Sequence, residues 1–451
     1  MSFRFRRQKG YFLSQLSDPE TYVKEIVRAY EREIQKGNRS LRKREELPLS
    51  AIYLKRRSLS RALAKSVPRG EYRFRPFFRT HIRTATKWRV VHQTVKVDHI
   101  VCGVVARLLG EAIEPLLSDS LYSYRTGKDW WKAISHFTTY IREHRSTFTN
   151  VRDRGLYVIR DDVREYTDSI PVGTAAPLWK MLSQTLESFA TSPPDLDAIT
   201  ELLRATLRPV VTEDRHFPYC HTFGISTGTQ VSNVVANFYL VELDSKLGQL
   251  EGAFYARYGD DLLFASPSIA VAQEARRQID QTVAKLKLTM NAAKRDFLFF
   301  NGAGRESESV PKVKGCSQIT FLGCSVRFDG TVSLKRSEAR RFLRSIRYRV
   351  RNSNRVLHNL RVEQRATEIC HMLGRVFNPM DVIADPSAGM LRRCVTDRLQ
   401  LKAFDRDIAL EVASALSGRS GQSAFRVFPY RMLRREFKLP SLVVLRNQWR
   451  S

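Results

Sequence analysis

The sequence predicts an α+β protein built from several subdomains, and three observations carry that reading. Apolar residues recur at helical spacing towards both ends of the chain. Strand-like apolar runs cluster in its middle. The length, 451 residues, is enough for two to four units with cores of their own. Hydrophobic content of 43 % and charged content of 27 % are those of an ordinary globular chain. The charge balance is not ordinary: 76 Lys and Arg against 46 Asp and Glu give a formal net of +30. Such an excess calls for a polyanionic partner, nucleic acid or an anionic membrane. No uninterrupted apolar run approaches the roughly 20 residues that span a bilayer, which favours nucleic acid and no membrane partner.

Residues 1–70 read as a helical extension. Met1-Ser2-Phe3-Arg4-Phe5-Arg6-Arg7 is basic with no apolar core behind it, so no secretory signal is predicted, although an organelle presequence fits the composition. Asp18-Pro19 is a helix start, and Tyr22, Val23, Ile26, Val27, Tyr30 and Ile34 continue it at helical spacing. The stretch from Lys36 to Arg44 is basic and reads as exposed. Pro68-Arg69-Gly70 marks a boundary. Residues 71–150 open with short strands, followed by a helix from about Asp98 to Leu117, a loop at Leu121–Lys128 and a helix near Trp130–Arg145. Gly155–Val163 is strand-like and ends in acids. Residues 171–210 read as helical with a break near Ser192-Pro193-Pro194. Phe223–Asp244 starts as a small-residue loop and continues as a helix, and a further helix lies near Ile269–Leu286. Phe297–Phe300 and Ile319–Phe328 read as a strand pair, with a turn at Asp329-Gly330. From 333 to 451 the chain is mostly helical, and Lys335–Arg355 holds nine basic residues and one acid.

Cys102, Cys220, Cys316, Cys324, Cys370 and Cys394 are scattered without a Cys-x-x-Cys pair, and the nine histidines are dispersed. The composition therefore predicts neither a zinc site nor a disulfide framework, but reduced thiols in a cytoplasmic protein.

The chemistry centres on Arg257-Tyr258-Gly259-Asp260-Asp261-Leu262-Leu263-Phe264. Apolar runs on either side suit the two strands of a hairpin with the acids at its tip. Adjacent carboxylates are costly to hold together without a cation. Asp162, about a hundred residues upstream, ends another strand, and a small-residue loop feeding a helix lies between them. A two-metal phosphoryl-transfer site needs carboxylates from two strands, holding ions roughly 3.5–4 Å apart.

In this order the motifs resemble the reverse transcriptases, more closely the bacterial ones, from about residue 79 to 335. Arg89-Val90-Val91 through Val97-Asp98-His99-Ile100-Val101 is similar to the fingers segment that group II intron enzymes write R-P-L-x-I-P-x-x-x-D-R-I-V. Tyr122–Lys128 resembles the next fingers block, Asp162–Ile170 motif A, and Gly224–Gly228 with Ser232 and Ala236-Asn237 motif B. Tyr258–Asp261 resembles motif C, Leu288–Asn291 with Lys294 motif D, and Phe321-Leu322-Gly323 the primer-grip motif E. The resemblance implies a right-hand polymerase fold: fingers at 71–150, an antiparallel palm sheet flanked by helices at 151–332 with a helical insertion at 171–215, and a helical thumb and C-terminal region at 333–451. It implies RNA-directed DNA synthesis with two Mg²⁺ ions, for which Mn²⁺ can substitute. The partners would be an RNA template, a DNA product and deoxynucleoside triphosphates.

The resemblance also assigns roles. Asp162, Asp260 and Asp261, with the Val163 carbonyl, hold the ions. Lys294 protonates pyrophosphate. Arg89 and Arg83 grip the incoming triphosphate, and Thr167, Thr227 and Gly228 border the nucleotide. Arg125, the primer-grip residues Phe321, Leu322 and Gly323, and the thumb-helix residues Arg340, Arg344, Arg347 and Arg351 contact nucleic acid. Plainer readings stand beside these: Arg89 and Lys294 as solvated charges, Arg125 paired with a carboxylate in the fingers, and Trp130-Trp131 as core rather than a stacking platform.

The chain departs from the family pattern at three positions. Ser226 stands where motif B usually has Pro. Gly259 stands where motif C usually has Ala, Val, Met or Cys, and Gly there also occurs in RNA-templated RNA polymerases. Thr167 replaces the bulky aromatic that excludes a ribose 2′-hydroxyl, which implies weaker or differently built sugar discrimination. Taking Asp161 as the ligand would put Tyr166 at that place. Asp162 is preferred because Ser169-Ile170 then aligns and apolar Val163 follows the acid.

The chain shows no HNH-type Cys/His cluster, no ribonuclease H constellation and no Val-Thr-Gly thumb signature of retron enzymes. The remaining resemblance is to defence-associated enzymes of the unknown and abortive-infection groups, which work with a structured non-coding RNA and assemble as oligomers or with partner proteins. Diversity-generating retroelement or other group II intron-like enzymes are the alternative within the family. A non-catalytic nucleic-acid-binding pseudo-polymerase is the alternative of another class, and untemplated or protein-templated nucleotide addition stays open.

Overall fold

The computed structural model describes residues 10–35, 47–83, 88–147, 154–213, 217–307, 310, 313–378 and 386–448. The basic start and the stretch from Lys36 to Arg44 lie outside them. The chain divides into two compact units: Met1–Lys128 with Ile159–Phe264 and Ile269–Asp296, and Asp129–Val158 with Ala265–Ser268 and Phe297–Ser451.

The first unit begins with helices α1 (Tyr11–Ser17), α2 (Pro19–Gln35), α3 (Leu49–Leu54) and α4 (Arg56–Ser66). The predicted helix start at Asp18-Pro19 is where α2 begins, with proline at the first helical position. Strands β1 (Phe77–Arg83) and β2 (Trp88–Gln93) form an antiparallel hairpin, and α5 (Lys96–Ile113) follows. Pro115 has no amide to continue α5, and the chain tightens into a 3-10 turn over Glu114–Leu116. α5 is buried along almost its whole length and packs on α2 and on the helix of the motif B segment. Ile26, Leu49, Ile52 and Ile100 knit the N-terminal helices to it.

After the end of β3 (Leu156–Asp162) come α7 (Tyr166–Ser169), α8 (Pro177–Glu187) and α9 (Pro193–Leu207), with the break at Ser192-Pro193 where prolines predicted it. The short strands β4 (Val210–Thr212) and β5 (Tyr219–Cys220) complete a sheet of order β2-β1-β4-β5, in which β1 and β4 run parallel. α10 (Gln230–Tyr239) and α11 (Val241–Gly248) lead into β6 (Phe254–Tyr258), β7 (Asp261–Ser266) and α12 (Ile269–Lys285). β6, β7 and β3 lie side by side in that order.

The second unit holds α6 (Trp130–Ser146), β8 (Asp296–Phe300), β9 (Lys314–Cys316), β10 (Gln318–Phe321), β11 (Cys324–Arg327) and β12 (Val332–Leu334). The pairing expected between Phe297–Phe300 and Ile319–Phe328 does not form. β8 pairs in parallel with β9, while β10, β11 and β12 make a three-stranded antiparallel sheet of their own. The cause is local. Leu322 and Gly323 both have positive φ, 46° and 81°, which closes a two-residue hairpin and turns β10 back on β11.

Helices α13 (Arg336–Val356), α14 (Val362–Phe377), α15 (Pro386–Arg393), α16 (Arg398–Ser417), α17 (Tyr430–Arg435) and α18 (Leu442–Gln448) complete this unit. Phe342, Ile346 and Val350 of α13 are spaced four apart and fully buried. They share one core with Ile369 and Leu373 of α14 and Phe404, Ile408 and Val412 of α16. Arg344 and Arg347 between them face solvent. Among the described residues, no helix is long and apolar enough to cross a membrane.

Candidate active site

The acids at the tip of the β6–β7 hairpin stand on two buried strands. Gly259 and Asp260 are the two turn residues, and Gly259 has φ +65°. A two-residue turn with positive φ at its first position needs glycine there. Space does not demand it, because a Cβ on Gly259 would meet nothing within 4 Å. The Asp260 carboxyl is raised above the ordinary carboxylate range by burial and by the nearby charge of Asp162, with Lys294 and Arg89 pulling the other way.

Asp162 ends β3, and its neighbour Asp161 points to the other face of the strand. The two carboxylates have different partners. Asp161, 1 % exposed, is held by both Arg276 Nη1 contacts, at 3.0 and 2.7 Å, with Arg295 Nε 3.9 Å away. Asp162 faces Lys294 Nζ at 2.6 Å and Asn291 Nδ2 at 3.0 Å. The Lys294 ammonium is opposed by burial, yet its hydrogen bond to Asp162 and the fields of Asp162, Asp261 and Asp260 raise it above the ordinary lysine value. The motif D segment is zipped along the end of β3: Asn291 N donates to the Asp162 carbonyl at 2.8 Å and Arg164 N to the Thr289 carbonyl at 2.9 Å. Val163 sits opposite Met290 between those two bonds, so its own carbonyl is not used in them.

Tyr166 is core: its hydroxyl donates to the Ala236 carbonyl at 2.5 Å. Thr167 is half-buried, and its carbonyl accepts from Ile225 N at 2.8 Å. Asp162 rather than Asp161 is thus the acid whose charge reaches Asp260, and Thr167 is the more exposed neighbour of buried Tyr166.

The motif B loop is pinned on several sides. A Cβ on Gly224 would lie 2.7 Å from the Asp168 carbonyl oxygen, and one on Gly228 2.6 Å from that of His92. Thr227 Oγ1 donates to the Val90 carbonyl at 2.8 Å, and His92 N donates to the Thr227 carbonyl at 2.7 Å. Ser226, in place of the family's proline, is fully buried and donates to the Thr206 carbonyl. A side-chain hydrogen bond therefore fixes what a proline ring would otherwise stiffen. Thr229 caps α10.

Arg89 is exposed on β2 opposite Ile82, whereas Arg83 is opposite Trp88. Directly opposed residues share a face and successive residues alternate. Arg83 and Arg89 therefore leave the hairpin on opposite faces, and Arg89 is the one whose field reaches Asp260. Arg125 is engaged by Glu114, at 2.7 and 3.1 Å, and by the Ser118 carbonyl at 2.6 Å. Phe321 is buried in the second unit, and Leu322 and Gly323 form the turn after it. Arg340, Arg344, Arg347 and Arg351 line the exposed face of α13, where Arg347 and Arg351 both meet Glu411.

Sequence reasoning missed Arg257, which is fully buried and ion-paired with fully buried Asp244. Its only signal was a charge inside an otherwise apolar strand.

Asp162, Asp260 and Asp261 supply oxygen donors only, which suits a hard divalent cation. Among the described residues, no three His, Cys, Asp or Glu side chains cage a metal by themselves. A like-charge pair with one carboxyl raised by burial and by its neighbour, and a lysine resting on the other, fits a site built for positive charge.

No curated protein matches the chain. Among solved structures, the chain is similar to apo telomerase from Candida tropicalis truncated from its C-terminal domain, at 13 % identity, 58 % of this chain, 55 % of that one and a TM-score of 0.44. It is also similar to telomerase from Candida albicans in complex with a TWJ fragment of telomeric RNA, at 11 % identity, 86 % of this chain, 67 % of that one and a TM-score of 0.46. The chain thus spans about half the length of the first of these. The family model described as reverse transcriptase (RNA-dependent DNA polymerase) matches residues 83–326, more than half of the chain. With its palm sheet, its flanking helices and these carboxylates, the chain belongs to the reverse transcriptase family.

Proposed function

We propose that this protein is an active RNA-directed DNA polymerase that extends a primer by metal-assisted nucleotidyl transfer. The observation that carries this is the convergence of Asp162, from the end of β3, and Asp260, from the β6–β7 turn, into one electrostatically coupled site with Lys294. In this reading, Asp162 and Asp260, assisted by Asp261 and the Val163 carbonyl, hold two Mg²⁺ ions. Bound divalent ions supply activation of the primer hydroxyl and charge neutralisation of the triphosphate. Lys294, whose raised pKa keeps it protonated at neutral pH, donates a proton to the leaving pyrophosphate. Arg89 steers the triphosphate. Thr227 and Gly228 keep the loop beside it narrow, and Thr167 borders the sugar. Arg83 and Arg125 take positioning roles at most, given where their side chains stand.

The proposed division keeps the helical extension at 1–70, fingers at 71–150, palm at 151–332 and thumb from 333. The primer grip at Phe321-Leu322-Gly323 and the arginines of α13 serve the nucleic acid.

The test is primer extension on an RNA template with each nucleotide set, comparing wild type with the Asp260→Ala, Asp261→Ala double variant. Equal product from the two would remove the site assignment. The finer reading is a cytoplasmic bacterial enzyme of antiphage defence with a dedicated structured RNA. It rests on motif resemblance and on the +30 charge. Sequencing the nucleic acid that co-purifies tests it: one recurrent structured RNA supports the reading, and a random cellular population rejects it.

A further inference from the structure

The Gly259 peptide, immediately before Asp260, is held at both of its polar groups. Its N–H donates to Ser123 Oγ at 3.0 Å, and its carbonyl accepts from Arg257 Nη1 at 3.0 Å. Ser123 Oγ donates to Asn237 Oδ1 at 2.7 Å, and Asn237 Nδ2 donates back to the Ser123 carbonyl at 2.7 Å. The Asn237 carbonyl accepts from Arg257 Nη2 at 2.8 Å, which closes the ring. Asp244 anchors the guanidinium through Nε at 2.7 Å and Nη2 at 2.5 Å, and Tyr255 donates to the same carboxylate at 2.8 Å. Ser123, Asp244 and Arg257 are 0 % exposed and Asn237 is 2 %.

Burying an ion pair gives little net stability compared with apolar packing, because desolvation consumes the attraction. What such a network supplies is geometry. Glycine is the freest link in a chain, and here it adjoins a carboxylate that the neighbouring Asp162 repels. The segment before Ser123 is also fixed: Arg257 N donates to the Ser120 carbonyl at 2.8 Å, and Tyr122 N donates to the Arg257 carbonyl at 2.9 Å.

We infer that Ser123, Asn237, Arg257 and Asp244 are positioning residues that brace the Gly259 peptide and so aim the Asp260 carboxylate into the site. The inference rests on the reading of Asp260 as a metal ligand. It gives part of the Tyr122–Lys128 block a role as a brace for the catalytic turn, and it links that block, motif B and the turn through one peptide group.

The test uses Ser123→Ala, which removes the acceptor of the Gly259 amide with little change in volume, and Ser123→Thr, which keeps the hydroxyl. Binding of Mn²⁺ to the protein alone is read by electron paramagnetic resonance, and primer extension is measured beside it. With Ser123→Ala the brace predicts roughly 10-fold weaker Mn²⁺ binding and a kcat lower by roughly 10-fold, the effect usual for loss of an outer-sphere support. KM for the nucleotide and affinity for primer–template stay unchanged, and Ser123→Thr recovers most of both losses. A folded Ser123→Ala protein with wild-type Mn²⁺ affinity and kcat overturns the brace. Asp260→Asn in the same assays separates the two readings. If it too leaves Mn²⁺ binding and extension intact, the site assignment itself fails; if it abolishes both while Ser123→Ala does nothing, only the brace fails. Should Ser123→Ala not fold, amide exchange in the wild type decides. A protected Gly259 N–H supports the brace, and exchange as fast as an exposed loop overturns it.

Discussion

Arg276 grips Asp161 at 3.0 and 2.7 Å, and that contact separates the roles of two adjacent carboxylates. Asp161 is committed to Arg276, whereas Asp162 meets Lys294 and Asn291 and its charge reaches Asp260. Asp162→Asn should lower kcat by about 10³-fold, the order that loss of a main electrostatic group costs, with a melting temperature at or above that of the wild type. Asp161→Asn should leave kcat per folded molecule near the wild-type value, because Asp161 is committed to Arg276 and Arg276 keeps its bond to the Asp296 carbonyl. Urea unfolding and kcat per folded molecule check both. A catalytically dead but stable Asp161→Asn would mean the ligand had been misassigned.

The crowded acids make a second prediction. Asp260 has a raised carboxyl in the metal-free protein because burial and Asp162 disfavour its charge. Removing that charge with Asp260→Asn should raise the melting temperature of the metal-free protein at neutral pH. Mg²⁺ at about 100 times its dissociation constant should stabilise the wild type by about 2.7 kcal/mol and Asp260→Asn far less. Lys294→Met frees Asp162 from its ammonium partner, so Mn²⁺ should bind the metal-free variant at least as tightly, even as kcat falls by about 10²-fold. Calorimetry with and without the ion reads all three, and an Asp260→Asn protein that gains as much from Mg²⁺ as the wild type would contradict the site.

Much of this site was legible in the sequence because its signals are local. Apolar runs around Gly259-Asp260 specify a hairpin, and the acid at the end of Leu156–Asp162 reads as a strand terminus. The rest depends on contacts between distant residues. Arg276 lies 115 residues from Asp161, so choosing between Asp161 and Asp162 from sequence needed the alignment of Ser169-Ile170 rather than chemistry. Asp244 looks like any acid on an amphipathic helix, and Arg257 like one more arginine in a basic chain; only folding buries them together. β9 is three residues, Lys314-Gly315-Cys316, too short for any periodicity. No periodic pattern in the sequence therefore marks it as the partner of β8.

Thr167 carries a prediction about nucleotide choice. Tyr166 is committed to the core through the Ala236 carbonyl, while Thr167, the next residue, is half-buried. Thr167→Phe should cut the use of ribonucleotides relative to deoxyribonucleotides by roughly 10-fold or more, a size that steric discrimination commonly reaches. Primer extension with single ribonucleotides measures the ratio. An unchanged ratio would move the sugar gate elsewhere.

His92 sets a pH dependence. It is 3 % exposed, its ring lies 4.8 Å from that of His221, and burial, with His221 and Arg79 nearby, holds it down to about 4. Glu213 opposes this weakly, and His221 is itself lowered, chiefly by burial. A histidine with a depressed folded pKa is neutral in the fold and charged in the unfolded chain. Its contribution is therefore complete above about 6.5 and lost as pH falls towards 4. The loss amounts to at most about 3 kcal/mol. His92→Phe should flatten this limb by about one proton when ΔG of unfolding is followed against pH. The difference between the two proteins is the diagnostic quantity, because raised carboxylates such as Asp161 and Asp260 have the opposite slope. Parallel curves for variant and wild type would rule His92 out as the source.

The arginines of α13 separate binding from chemistry. Arg340 and Arg344 are exposed one turn apart, while Arg347 and Arg351 share Glu411 on the same helix face. Arginine in a phosphate contact releases counterions, and each contact adds about 0.9 to the slope of log affinity against log salt. Arg340→Ala with Arg344→Ala should therefore lower that slope by about 2 and weaken primer–template binding equally for all sequences, with kcat at saturation unchanged. Arg347→Ala should lower it by less, because Glu411 already neutralises part of its charge. Fluorescence anisotropy across a salt series gives the slopes. If the double variant kept the wild-type slope, the basic face of α13 would be a solvated surface and the duplex would have to be held elsewhere.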